Sequence, residues 1–144
     1  MLEAIEQRLL TGVPDLFRRV TVVESVTAMW RGPAFETGDL ILAPHREEAN
    51  LNELATGGFR QLCEVEFVTA IIIRQADDPR GSSRARRFDA YKTGLQRLLL
   101  GWTHETMDQP MSLIGGVSNE VPSKGISIWV QTWLTAYFLY GDQS

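Results

Sequence analysis

Apolar residues recur with the period of an α-helix at two places in the chain. At the N-terminus Leu2, Ile5 and Leu9 are spaced i, i+3 and i+7, which predicts a short helix with one apolar face. A second, longer helix is predicted from about Arg84 to Leu100. Its apolar stripe consists of Phe88, Tyr91, Leu95, Leu98 and Leu99. Both helices are therefore expected to pack one face against a core.

Residue types at the helix ends support these two assignments. Gly12 and Pro14 are expected to end the first helix. Ser82 or Ser83 is predicted to be the N-cap of the second helix, because a serine oxygen accepts a backbone N–H that otherwise lacks a partner. Gly101 is a suitable C-terminal stop.

Segments rich in β-branched residues predict strands in the first half of the chain. RVTVVESV, from Arg19, is followed by the turn-forming WRGPAFETGD and by a short strand, LILA, that is expected to stop at Pro44. Residues 45–58 are polar and predict either a long loop or one weak helix around Leu51 and Leu54. FRQLCEVEFVTAIIIRQ then predicts a long strand, whose AIII portion is apolar on both faces and should be covered on both sides.

The C-terminal third predicts two strands, MSLIGGV and ISIWVQTWLTAYFLY, joined by a turn that contains Asn119, Pro122 and Gly125. Alternate residues of the last strand form an apolar face that runs from Ile126 to Phe138. The opposite face combines large aromatic with small polar side chains: Ser127, Trp129, Gln131, Trp133, Thr135 and Tyr137. Such a mixture is typical of a surface that meets a partner or a covering helix.

The order of elements predicts one α+β domain over residues 1–144. We expect one mixed or antiparallel sheet of about four to five strands, with the two main helices packed on one face. A chain of 144 residues is long enough to bury a core without metals or disulfides.

Composition and charge exclude several classes of function. The net charge of −4 gives no global attraction to nucleic acid or to an acidic membrane. No segment approaches the ~18 uninterrupted apolar residues of a membrane span. Glu3 and Glu6 interrupt the N-terminal stretch, so we expect no signal peptide and synthesis in a cytoplasm. The single cysteine, Cys63, is expected to be a buried apolar residue.

A search for catalytic, cofactor-binding and metal-binding patterns finds none. The only histidines are His45 and His104, and neither lies in a metal-ligand pattern such as HExxH. No serine lies in a GxSxG setting, and the glycine pairs lack the spacing of a phosphate-binding loop. The chain is therefore predicted not to be an enzyme and to bind no cofactor.

Positive charge is concentrated in the segment RQADDPRGSSRARR, residues 74–87, which we call the arginine segment. It holds five of the fourteen basic residues of the chain: Arg74, Arg80, Arg84, Arg86 and Arg87. The last three are expected in the first turn of the following helix, where the helix dipole disfavours cations and a negative neighbour is needed.

Four interpretations of the arginine segment are open. It is a solvated loop neutralised by Asp77 and Asp78, an anion or substrate site, a contact with another subunit or an acidic partner protein, or a nucleic-acid-binding site. The last is disfavoured because no aromatic side chains are interleaved with the basic ones.

Four segments, taken in order, carry a family resemblance. They are the helix MLEAIEQRLL, the strand EVEFVTAIIIR, the helical RRFDAYKTGLQRLLLGW that follows a polar loop, and the closing strand ISIWVQTWLTAYFLY. In this order and in length the chain resembles the tail terminator family of long-tailed bacteriophages, the lambda minor tail protein U-like tail-completion proteins. The sequence departs from a generic member in its long 45–58 segment and in the density of arginine at 80–87.

The resemblance implies a structural protein without catalytic residues, which is assembled in the bacterial host cytoplasm. It implies a homohexameric ring at the head-proximal end of the virion tail, which caps the tail tube, stops its polymerisation and offers a surface for head joining. The partners would be further copies of the chain, the tail tube protein and a head-completion or connector protein. The alternatives are another head–tail connector or tail-completion protein and, less favoured, a nucleic-acid-binding module.

A ring of identical subunits needs one surface patch to meet a different patch on the next subunit. On the basic side the candidate interface residues are Arg74, Arg80, Arg84, Arg86 and Arg87, with Asp77 and Asp78 between them. Acidic counterparts are predicted at Glu47, Glu48 and Glu53, or at Glu64 and Glu66. The aromatic candidates are Trp129, Trp133 and Tyr137.

Overall fold

The computed structural model describes residues 1–12, 14–25, 27–28 and 34–141. The described residues form the helices α1 (Leu2–Gly12) and α2 (Gly81–Leu99), with strands β1 (Arg19–Val22), β2 (Asp39–Ala49), β3 (Arg60–Arg74), β4 (Gln109–Val121) and β5 (Ile126–Tyr140). A short 3-10 turn, Pro122–Lys124, joins β4 to β5. Val26 and residues 29–33, which include the predicted WRGP turn, lie outside the described residues.

The five strands form one mixed sheet in the order β1-β2-β3-β5-β4. The β1–β2 pair is parallel, and the other three pairs are antiparallel. The centre of the sheet is the β3–β5 pair, whose register runs without a shift from Arg60 opposite Tyr140 to Arg74 opposite Ile126. These strands and helices confirm the predicted α+β fold with one mixed sheet.

Two apolar clusters lie on opposite faces of the sheet. The larger cluster joins both helices, through residues such as Ile5 and Leu95, to one face of β3 and β5. The smaller cluster packs Phe35 against Ala70 and Ile72 on the other face. The AIII portion of β3 thus contributes alternate side chains to both clusters, as its two-sided apolar pattern predicts.

The prediction that the second strand stops at Pro44 is wrong, because β2 continues to Ala49. The main-chain carbonyl of Leu42 accepts a hydrogen bond from Val23 N–H on the outer side of β2. By alternation, Pro44 also directs its main-chain groups outward, beyond the end of β1, so its missing N–H removes no ladder bond. The register shifts between Pro44 and Arg46, and the strand then continues.

The polar segment 45–58 contains no helix. Its first residues extend β2, and the remainder is a loop that the side chain of Asn52 holds closed. Asn52 Oδ1 accepts hydrogen bonds from Leu54 N–H and Arg60 N–H, and its Nδ2 donates to Gly58 O. Leu51 is 89% exposed, so it offers no apolar face to a helix. The loop interpretation is confirmed for residues 50–58.

The start of α2 also differs from the prediction. The helix begins at Gly81, its N-cap residue is Arg80, and no side chain caps it. Neither Ser82 nor Ser83 is the N-cap; Ser83 Oγ instead donates to Asp78 Oδ2 at 2.9 Å. Three arginines therefore lie beyond the first three helical residues, where the helix dipole opposes them less than expected. At the other end, Gly101 adopts φ +75° directly after the helix, as predicted.

Candidate functional site

The arginine segment lies at the end of the sheet where β3 finishes, and its arginines fall into two groups. Three of them have partners in the same subunit: the guanidinium of Arg84 donates to the main-chain oxygen of Asp78 at 2.7 Å, Arg87 lies 3.8 Å from Asp78 Oδ2, and Arg74 lies 3.5 Å from Glu36. Asp78 thus provides part of the negative neighbourhood expected at the start of α2, through its main-chain oxygen for Arg84 and its carboxylate for Arg87.

The other two arginines of this segment are exposed. Arg80 precedes α2 and Arg86 lies in its second turn. Neither has an ion pair or side-chain hydrogen bond to any residue that the structure describes. Asp77, by contrast, accepts a hydrogen bond from Thr37 at 2.6 Å. Arg80 and Arg86 are consequently the members of the arginine segment that are available to another molecule.

The predicted acidic residues lie at the other end of β3 from the arginine segment: Glu47 and Glu48 on the last part of β2, Glu64 and Glu66 on the first part of β3, and Glu53 in the loop between them. Glu48 and Glu66 are both held by Arg46, at 2.7 and 3.1 Å, and Glu53 pairs with Arg60 at 3.1 Å. Glu47 is exposed and has no ion pair within the described part of the chain.

A groove of about 770 Å³ opens between the start of α1 and the outer half of β2. We call it the α1–β2 groove. Leu2, Pro44 and Phe67 give it apolar walls, and four carboxylates line it: Glu3, Glu24, Glu47 and Glu66. Glu66 pairs with Arg46, whereas the other three glutamates are exposed and have no ion pair with a residue for which a position is described. The groove can therefore accept a group that is positively charged at its tip and apolar along its stem.

Tyr137 forms another part of the groove wall. Burial raises the pKa of its phenol to about 12, and hydrogen bonding with Cys63 and the charge of Glu47 act in the same direction. The phenol therefore stays neutral at physiological pH, and its hydroxyl adds a polar group without charge to an acidic groove.

The three aromatic candidates do not form one exposed patch. Trp133 is 1% exposed and its indole N–H donates to Thr69 Oγ1 at 3.0 Å, so the prediction that it contacts a partner is wrong. Trp129 is partly buried beneath Lys92, whose ammonium lies 4.1 Å from the ring centroid. The aromatic face of β5 is the face that the helices cover. The sequence left open whether this face meets a partner or a covering helix, and for Trp133 it is the covering helix.

Sequence reasoning missed an apolar surface on the opposite face of the sheet. There the first part of β5 is covered by Phe35, but Leu134 and Phe138 further along the strand remain partly exposed. Val117, which pairs with Val130 on the same face, is 59% exposed. The guanidinium of Arg60 lies 5.0 Å above the ring of Phe138. The signal was present, because both faces of β5 contain large apolar residues although helices are predicted on only one.

The described residues contain no group of three or more His, Cys, Asp or Glu side chains arranged to hold a metal ion. No helix within the described ranges is both long and apolar enough to cross a membrane. Cys63 is buried. Ser25 and His45 both line the α1–β2 groove, and the hydroxyl of Ser25 hydrogen-bonds to Thr27 and accepts from Ala28 N–H.

Comparison with known proteins gives a fold relative and a family. The fold matches a chain of the "Virion of native gene transfer agent (GTA) particle" with a TM-score of 0.60 and 13% sequence identity, over 98% of this chain and 95% of that one. No curated protein matches the sequence. A family model described as phage tail terminator protein matches residues 1–143. The chain therefore belongs to the phage tail terminator protein family.

Proposed function

We propose that the chain forms a homohexameric ring that caps the tail tube, stops its polymerisation and provides the surface to which the head is joined. As a member of its family the chain is a structural protein of a phage tail. The protein with the similar fold belongs to the virion of a gene transfer agent, which supports a place in a virion for this chain too. The proposed position of the ring is the head-proximal end of the tail.

The observation that carries the proposal is the separation of charge between the two ends of the subunit. Residues 74–92 contain six basic side chains and three carboxylates, whereas residues 45–66 contain five carboxylates and two arginines. A subunit with two complementary, non-identical patches makes head-to-tail contacts, which close into a ring when the rotation between subunits permits.

The ring is tested by mass and by its effect on tubes. We expect purified protein to reach six times the 16.2 kDa subunit mass in light scattering at low salt, or to reach that stoichiometry on tail tubes. Added to polymerising tail tube protein, it should bind tube ends and stop elongation when present at far fewer copies than the tube subunit.

The same preparations separate the proposal from its alternatives. A connector or other tail-completion protein would bind head-completion protein but leave tube length unchanged. A nucleic-acid-binding module would bind DNA with an affinity that falls steeply with salt. A protein that stays monomeric on its own and on tubes, and that leaves tube growth unaffected, would refute the proposed ring.

A further inference from the structure

We propose that Arg80 and Arg86 of one copy bind in the α1–β2 groove of the next copy, against Glu24 and Glu47. This inference rests on the proposed ring and identifies the side chains that join its subunits. The occupant of the groove is then a second copy of this chain.

Arg80 and Arg86 are the arginines that can enter a groove on another copy, and we call them the donor. Arg74, Arg84 and Arg87 already interact with Glu36 or Asp78, so moving them into a contact would break existing interactions. Arg80 and Arg86 are exposed and carry no such cost. Their positions, just before α2 and in its second turn, place both guanidinium groups on a helical support.

The α1–β2 groove matches an arginine side chain in polarity and charge. Arginine presents an apolar stem, a flat guanidinium and a fork of N–H donors that fits carboxylates. The groove offers apolar walls together with exposed carboxylates at Glu24 and Glu47. Among the described residues the groove is lined by one arginine, Arg46, which is held by Glu48 and Glu66 and therefore does not neutralise the other carboxylates.

Within one subunit, Arg80 and Arg86 do not pair with the groove. Neither has an ion pair with Glu24, Glu47 or any other residue that the structure describes. The proposed contact therefore joins two copies: the two arginines of one subunit bind in the groove of the next, and its own groove receives the arginines of the subunit before it.

The experiment uses two charge-reversed variants of the full chain. The donor variant carries Arg80→Glu and Arg86→Glu, and the groove variant carries Glu24→Arg and Glu47→Arg. All four positions are exposed, and a glutamate at Arg80 suits the start of a helix, so both variants should keep the circular dichroism spectrum of the wild type. Sedimentation velocity then measures assembly, in solution or by co-sedimentation with tail tubes if the ring forms only there.

Each variant alone should assemble at least about a hundredfold more weakly than wild type, because like charges then face each other across the contact. An equimolar mixture should recover assembly to within about tenfold of wild type, because each donor then meets a groove of opposite charge. The matched controls Arg97→Glu and Asp15→Arg change exposed charges elsewhere and should assemble like wild type.

The outcomes separate this contact from the ring itself. If the wild type assembles and either charge-reversed variant assembles equally well, the proposed contact is overturned while the ring is retained. Folded variants that both fail alone and also fail as a mixture would overturn it too. A wild type that never assembles, even on tubes, would remove the ring and the contact together.

Discussion

The buried carboxylate of Asp39 should be among the most important polar groups for stability. Its side chain is fully buried and accepts hydrogen bonds from Arg18 at 2.9 and 3.3 Å, from Arg19 at 3.2 Å and from Glu36 N–H at 2.9 Å. These bonds hold the start of β1 against β2 and fix the turn that precedes β2. Because β1 leads directly to Glu24, Asp39 also supports one wall of the α1–β2 groove.

The expected loss for Asp39→Ala is about 3 kcal/mol of the free energy of unfolding. Breaking a buried ion pair typically costs ~3–5 kcal/mol. The two arginines are 47% and 41% exposed, so water partly replaces the lost carboxylate and the cost falls at the lower end of that range. Asp39→Asn retains an acceptor for Glu36 N–H and should cost less, about 1–2 kcal/mol.

Urea unfolding followed by tryptophan fluorescence measures these losses at a protein concentration where the subunit is monomeric. With a urea dependence of ~1–3 kcal/mol per molar, a 3 kcal/mol loss lowers the midpoint by at least about 1 M. The exposed Asp15→Ala is the control and should change stability by less than about 0.5 kcal/mol. A loss below about 1 kcal/mol for Asp39→Ala would refute the assignment of Asp39 as the anchor of β1.

Three further predictions concern packing, ionisation and a loop. Gly116→Ala should lower the free energy of unfolding by about 1–3 kcal/mol, because the new methyl would lie 2.9 Å from the ring of Trp129, whereas Gly115→Ala meets nothing within 4 Å and should be close to neutral; urea unfolding of both variants checks this. Since burial raises the pKa of Tyr137 from 10.0 to about 12, the unfolded chain releases this proton between these pH values while the folded chain keeps it. The free energy of unfolding should therefore fall as pH rises through this window, and Tyr137→Phe should remove that part of the slope. Asn52→Ala should lower the free energy of unfolding by about 1 kcal/mol and make residues 50–58 a site of rapid limited proteolysis. Equal rates of cleavage of the wild type and the variant would contradict this prediction.

The elements with strong apolar periodicity could be predicted from the sequence almost completely. β3 and α2 are long, and each buries one continuous apolar set, so local pattern and tertiary structure agree. The predictions were wrong at the ends of elements, where tertiary contacts determine how far a strand or helix extends. Pro44 is tolerated in β2 because that part of the strand is an edge, and strand order is not visible in the sequence. The start of α2 was missed because Ser83 hydrogen-bonds to Asp78 instead of capping the helix.

The candidate interface could be predicted only in part, for a related reason. The sequence correctly located the concentration of arginine, but only the folded chain separates Arg80 and Arg86 from the arginines that Asp78 and Glu36 engage. Among the acidic residues Glu47 was expected, whereas Glu24 follows a different strand and joins the groove only through the parallel pairing of β1 with β2. Such long-range pairings leave no local periodicity to read.

The β3–β5 pair links the end of the sheet that carries the arginine segment to the end that carries the α1–β2 groove. Fifteen paired residues run without a register shift, from Arg60 opposite Tyr140 to Arg74 opposite Ile126, and the middle of β3 is buried on both faces. A close-packed pair of this length transmits strain instead of bending locally. The angle between a subunit's donor end and its groove is therefore fixed by the fold, and a head-to-tail contact repeated at a fixed angle closes at one number of subunits. A cap that must match one tube diameter requires this property, and a pair of patches joined by a flexible segment would not provide it.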